Sequence, residues 1–257
     1  MMLLHGFGAT PRVWDRIGVA ADRPALAGHG GPEPVDFETE VERLARRIHA
    51  PTTVVGYSLG GRLALGIACR FPEKVDRLVA IGTHPGLDGP NSRLERMAAD
   101  DALARDLEQR GLDAFFADWD ARPLFARRPT PDRSGLEDSS LAAAMRAFSL
   151  GRMPSRWLEL PALRMPVTWV AGEHDDKFLR LAEQCARTGP RAECVRVEGA
   201  DHDVLACRPD AVVALLYFRE GSSIPPPTGQ SPAGPPSEFE RCALAASAGP
   251  RGRSSLP

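Results

Sequence analysis

The sequence predicts an α/β fold in which a mostly parallel sheet is flanked by helices, and three observations carry that reading. Short apolar or β-branched runs alternate with segments of helical periodicity as far as residue 81. The run 51–72, PTTVVGYSLGGRLALGIACRFP, reads as a strand, a turn too tight for most side chains, and a helix. The alternation resumes after residue 160, once a long stretch of helical character has passed. With 257 residues, 43% of them hydrophobic, the chain suits one such domain with a modest insertion.

Taken in order, Met1 to Leu4 form a minimal strand that runs into His5-Gly6-Phe7-Gly8. Val13, Trp14 and Ile17 fit the apolar side of a short helix, and Ala25 to Gly31 read as another strand end and loop. Phe37, Val41, Leu44 and Ile48 make one helical stripe across 37–50. The strand 51–55, the helix 61–71 and the strand VDRLVAI at 75–81 follow, an order that implies right-handed parallel crossovers. Residues 91–160 are rich in Ala, Leu and Arg and are expected to be helical throughout, with proline breaks near 123, 129, 131 and 154. An insertion at 88–160 between two sheet strands would sit over the strand ends as a lid. The sheet resumes at PVTWVA (166–171), followed by a helix near 178–187, a strand at Cys194 to Val197 and a last helix at 209–219. Residues 1–87 and 161–219 would thus form the core. From residue 220 the composition turns to Pro, Gly and Ser without apolar periodicity, so 220–257 is expected to be a disordered tail.

Composition removes several function classes. A net charge of −2 leaves no basic excess to neutralise phosphates, so general nucleic-acid binding is not expected. No apolar run reaches membrane-spanning length, and MMLLHGFG lacks the charged start and long apolar core of a signal peptide. The five cysteines (Cys69, Cys185, Cys194, Cys207, Cys242) show no C-x-x-C spacing and read as reduced apolar residues. A cytoplasmic protein without metal or cofactor is the expectation, its oligomeric state left open.

The chemistry is expected at the strand ends. Gly56-Tyr57-Ser58-Leu59-Gly60 is a G-x-S-x-G turn that would project a serine hydroxyl above a helix amino terminus. The loop after the first strand could add a second oxyanion donor, Phe7 N–H beside Leu59 N–H. A serine is a poor base near neutral pH and needs an imidazole, oriented in turn by a carboxylate. His202 follows one strand and the adjacent Asp175 and Asp176 follow another, with Asp175 the preferred acid. The order Ser58, Asp175, His202 is that of the α/β hydrolases. His5, His29 and His84 read as structural or loop histidines rather than bases.

The chain resembles a particular family through LHGF (Leu4 to Phe7), AGHG (Ala27 to Gly30), GYSLGGR (Gly56 to Arg62) and HPGL (His84 to Leu87). The likeness continues in Phe116-Ala117-Asp118-Trp119, Pro123-Leu124-Phe125, Ser149-Leu150, Gly172-Glu173, Asp175, Lys177 and Phe178. These residues are similar to those of the 2-succinyl-6-hydroxy-2,4-cyclohexadiene-1-carboxylate synthases (MenH) of menaquinone biosynthesis, which have the α/β-hydrolase fold. The resemblance implies a lyase that eliminates pyruvate from 2-succinyl-5-enolpyruvyl-6-hydroxy-3-cyclohexene-1-carboxylate, with Ser58, His202 and Asp175 acting together as the base. A small polycarboxylate substrate would meet Tyr57, Arg62, Arg96, Trp119 and Arg133. The alternative on the same scaffold is a carboxylester or carbon–carbon bond hydrolase, and a non-catalytic scaffold is a further one. Two departures from the family carry expectations. The chain begins almost at the HG loop, without one or two leading antiparallel strands, which would weaken the fold at a sheet edge and spare the site. Asp201 stands where the family usually has glycine and is expected to raise the pKa of His202 or to compete with Asp175 for it.

Overall fold

The computed structural model describes residues 1–217; the expected tail lies outside them. Five parallel strands form one sheet in chain order: β1 (Met2–Leu4), β2 (Thr52–Tyr57), β3 (Val75–Ile81), β4 (Val167–Gly172) and β5 (Ala192–Val197). The register places Leu4 beside Gly56, Tyr57 beside Ile81 and Gly172 beside Val197. The carboxyl ends of the strands therefore share one edge of the sheet.

Successive residues of each strand point to opposite faces, and both faces are buried. Val54, Leu78 and Trp169 pack with α1 (Phe37–Arg46), α2 (Leu59–Arg70) and the buried Cys185 of α5 (Asp176–Ala186). Val55, Val79 and Val170 pack against Trp14 and Ile17, against α6 (Val204–Cys207) and against Val212 and Leu216 of α7 (Pro209–Tyr217). Each fully buried aliphatic chain contributes about 1.5–3 kcal/mol, so these two layers fix the sheet that presents the site. Asp36 starts α1 by accepting the Thr39 N–H at 2.8 Å.

Between β3 and β4 lie α3 (Pro90–Asp120) and α4 (Asp138–Ala147), which close over a third apolar cluster that includes Leu107, Phe115, Phe116, Leu141 and Met145. The insertion is less continuous than the sequence predicts. Its first helix breaks at Gly111 (φ 75°, ψ 171°), and residues 121–137 hold only a short 3-10 turn at Pro123–Phe125. Pro123, Pro129 and Pro131 supply no N–H and exclude a helical residue before them, which ends α3 and delays α4. Past residue 147 the chain runs as turns, with one 3-10 turn at Leu160–Ala162.

The short helix expected at 11–17 is present as a 3-10 helix, with Pro11 as its first residue. One further expectation changes. Ala25 to Gly31 make no strand; beside β1 there is a single bridge between Met2 and Asp22. Pro24, which has no N–H to donate, directly follows that region and prevents further pairing.

Candidate active site

The turn after β2 holds Ser58 at φ 53° and ψ −109°, the one positive φ outside glycine among the described residues. That backbone is costly for a residue with a Cβ, and its neighbours enforce it. Ser58 N–H donates to the Ile81 carbonyl at 2.8 Å, and its carbonyl accepts the Arg62 N–H at 3.1 Å. A Cβ on Gly56 would fall 2.2 Å from the Gly60 carbonyl oxygen, and one on Gly60 would fall 2.2 Å from that of Leu4. Glycine at both positions lets the strand turn into α2 against β1.

Three loops bring the sequence-predicted polar residues together. Ser58 Oγ–H donates to His202 Nε2 at 3.1 Å, and His202 Nδ1–H donates to Asp175 Oδ2 at 2.7 Å. The second bond fixes the tautomer and leaves Nε2 free to accept a proton. Asp175 caps α5 with its other oxygen, which accepts the Phe178 N–H at 3.2 Å. Asp176, the first residue of α5, is exposed, so Asp175 is the neighbour that meets the imidazole. Aromatic rings enclose His202: Phe178 at 4.4 Å, Tyr57 at 5.6 Å and Phe125 at 5.9 Å between ring centres.

Asp201 does not compete for His202, contrary to expectation. One of its oxygens accepts the Arg127 N–H at 2.8 Å, and the other accepts the Asp203 N–H at 2.9 Å and the Cys207 S–H. With its lone pairs committed to backbone donors, it ties the helical insertion to the histidine loop. Arg128 adds a second tie, bridging Asp203 at 3.1 Å and Asp120 while lying 3.7 Å over the Phe125 ring.

The HG loop lies against the serine turn, since a Cβ on Gly6 would stand 3.5 Å from Ser58 Cβ. Leu59 opens α2, so its N–H has no acceptor within the helix. The Phe7 ring packs against His29 at 5.3 Å and Trp119 at 5.5 Å. Beneath the loop, His5 Nδ1–H donates to the Gly6 carbonyl at 2.9 Å, and its Nε2 accepts the Leu26 N–H at 3.2 Å. His29 Nδ1–H donates to the Ala27 carbonyl at 3.0 Å, while its buried Nε2 has no partner among the described residues. Burial, and for His5 the nearby His29, lowers the two pKa values to about 3 and about 4. Both lie below the unfolded value near 6.5, so the unfolded chain takes up the extra protons as acid is added. Stability is full above that value and should fall as pH drops from 6.5 toward 4, by about 1.4 kcal/mol per pH unit for each histidine. Melting temperatures measured across this range should decline, and His29→Gln should flatten the decline; parallel curves for the two proteins would refute the assignment.

The cations divide into open and committed groups. Arg62, on the first turns of α2, donates to the Phe148 carbonyl at 2.7 Å and approaches Met153 Sδ. It forms no salt bridge among the described residues. Burial, then Arg96, push its pKa down to about 9, with Asp100 opposing, which leaves it charged near neutral pH. Arg96 engages Asp100 through Nε at 2.8 and 2.9 Å. Arg133 is more tightly held: both terminal nitrogens donate to Asp120 at 2.7–2.8 Å, and its guanidinium lies 3.6 Å over the Phe116 ring. The resemblance makes Arg133 a substrate contact; in the structure it is paired with Asp120 within the insertion. Tyr57 is buried, and Trp119 is half-buried with its ring stacked on Phe115 at 5.5 Å.

Sequence reasoning missed four neighbours. Phe125 and Phe178 stand in the quoted motifs, but nothing local marks them as the walls of an imidazole. Arg122 and Lys177 add charge near Arg62 and Arg96. Arg96 acts on Arg122, and Lys177, Arg62 and Arg96 together act on His84. Burial first, then those cations, lower the His84 pKa to about 4, and its Nδ1 accepts the Gly86 N–H at 3.0 Å. A neutral imidazole therefore sits among three positive side chains, Lys177, Arg62 and Arg96.

Residues 1–215 match the Alpha/beta hydrolase family. The chain is similar to the 2-succinyl-6-hydroxy-2,4-cyclohexadiene-1-carboxylate synthase of Salmonella agona, 33% identical over 235 residues covering 84% of this chain and 91% of that one. The enzyme of the same description from Escherichia coli O1:K1 is 32% identical over the same spans. Among solved structures, MenH from S. aureus superposes with a TM-score of 0.77 at 27% identity, covering 84% of this chain and 90% of that one. A thermophilic esterase from Thermogutta terrifontis, at a TM-score of 0.67 and 19% identity over 84% and 86% of the two chains, shares the fold. Among the described residues, no helix is long and apolar enough to cross a membrane.

Proposed function

Because the chain belongs to the alpha/beta hydrolase family and, within it, to the 2-succinyl-6-hydroxy-2,4-cyclohexadiene-1-carboxylate synthases, we propose that it performs their elimination in menaquinone biosynthesis. The substrate is 2-succinyl-5-enolpyruvyl-6-hydroxy-3-cyclohexene-1-carboxylate, and the products are pyruvate and the compound that names the family. Ser58 Oγ takes a proton from a ring carbon as its own proton passes to His202 Nε2. The electron pair released at the ring carbon moves onto the succinyl carbonyl, whose oxygen becomes an enolate held by the N–H groups of Phe7 and Leu59. Return of that pair breaks the carbon–oxygen bond to the enolpyruvyl group. The departing oxygen takes up the proton held by His202, and the enol becomes pyruvate. Asp175 stabilises the imidazolium between the two transfers.

The observation that carries this reading beyond the fold is Arg62. It is a half-buried guanidinium on the helix that starts at Ser58, with a carbonyl and a thioether for partners and, among the described residues, no carboxylate bonded to it. An enclosed cation beside a base suits a polyanionic substrate; a small neutral ester gives no reason for it. In this reading the helical insertion is a lid, tied down through Asp201 and Arg128, that excludes water from the enolate.

The test is turnover of the enolpyruvyl substrate set against turnover of nitrophenyl acetate. Rapid pyruvate release with negligible ester cleavage is the expected result. Efficient ester hydrolysis without pyruvate release would replace the lyase by a carboxylester hydrolase.

A further inference from the structure

An aromatic ladder leads outward from the catalytic imidazole. His202 lies against Phe125, Phe125 against Trp119 at 6.2 Å, and the Arg122 guanidinium carbon lies 4.1 Å over the Trp119 ring. Arg122 is half-buried, and its side chain forms no salt bridge among the described residues. The carboxylates nearest to it in sequence are engaged elsewhere. Asp118 pairs with Arg110 at 2.7 Å, and Asp120 with Arg128 and Arg133. The stack on Trp119 holds the planar guanidinium in one orientation, and among the described residues no hydrogen bond of its donors competes with a ligand.

Burial first, then Arg96, disfavour the charged form of Arg122, with Asp118 opposing, and burial and Arg96 act in the same direction on Arg62. Three guanidiniums thus extend from the helix of Ser58 to the end of α3, and among the described residues Asp100 is the one carboxylate bonded to any of them. Like charges gathered in a partly desolvated place repel one another, and a bound anion relieves the repulsion.

We propose that Arg122 is a specificity-determining residue that takes a carboxylate of the substrate from the lid side, alongside Arg62 and Arg96. This deepens the reading given above and rests on it: the cleft selects molecules with three carboxylates over molecules with two. Arg122 does no chemistry, so its removal should act on binding and leave the proton transfers intact.

Two probes separate these effects in the full-length enzyme. Propane-1,2,3-tricarboxylate and succinate are titrated as competitive inhibitors of pyruvate release, and binding is followed independently by calorimetry, for wild type, Arg122→Gln and Arg122→Lys. Arg122→Gln should weaken the tricarboxylate and raise KM by about tenfold, with succinate affinity and kcat changed by no more than about twofold. Arg122→Lys, which keeps the charge and loses the fork, should fall between. Equal loss of both probes, or a fall in kcat with KM unchanged, would reduce Arg122 to a structural brace and overturn the assignment. Wild-type affinity of Arg122→Gln for both probes would overturn it too, while wild-type pyruvate release in the same samples would leave the lyase standing. If the wild-type enzyme binds neither probe the anchor is wrong, and pyruvate release then decides separately whether the lyase is.

Discussion

Ser58→Ala is expected to lower kcat for pyruvate release by about a thousandfold or more, with KM and melting temperature close to wild type. A positioned base contributes roughly 10²–10⁴ to a proton transfer, and this substitution removes the atom that receives the proton. The backbone that makes Ser58 unusual is imposed by Gly56, Gly60 and the Ile81 carbonyl, so alanine should inherit the same turn. His202→Ala should cost about as much as Ser58→Ala, and the double variant little more, because residues acting as a unit are not additive. Asp175→Asn should also be severe, since an amide in place of the acceptor for Nδ1–H at 2.7 Å favours the wrong tautomer. Retention of full activity by Ser58→Ala would remove the serine from the mechanism and favour a scaffold that does no chemistry with it.

Arg62→Ala should lower kcat/KM by about a hundredfold and leave the fold intact. A charge-assisted hydrogen bond contributes about 1.5–3 kcal/mol, and a forked pair to a carboxylate makes two. The folded protein loses the bond to the Phe148 carbonyl at 2.7 Å, a change of about 1.5–3 kcal/mol that the rest of the core should carry. The contrast with Arg133 sharpens the expectation. Arg133→Ala would leave Asp120 to Arg128 alone and loosen the insertion, so its effect should appear in melting temperature as well as in activity. Steady-state kinetics and thermal melts on the two variants distinguish a cation held for the substrate from one held for the lid.

The order of the catalytic groups was legible because strand ends are local. A β-branched run, a glycine-flanked serine and a helical stripe are written within twenty or so residues, and the positions of Asp175 and His202 follow from the same alternation. The sheet, its parallel register and the helices on both faces were readable for that reason. What the sequence concealed was pairing across distance. Nothing near Arg133 says that Asp120 will claim it, and nothing near Asp201 says that its carboxylate will meet the N–H of Arg127 instead of His202. Among many arginines in the insertion, the open ones differ from the committed ones only in their three-dimensional neighbours. The same holds for the length of α3 and α4. Composition favoured helix throughout, and three prolines with Gly111 outweighed it.

In the proposed elimination Ser58 removes a proton from a ring carbon without forming a covalent bond to the substrate. The most direct measurement is single-turnover pyruvate release from the substrate carrying deuterium at that carbon, with the enzyme taken for intact-mass analysis during turnover. A slower release from the deuterated substrate and an unmodified Ser58 are the expected results. Equal rates for the two isotopic forms, together with a substrate-derived acyl group on Ser58, would contradict the elimination and make the protein a hydrolase.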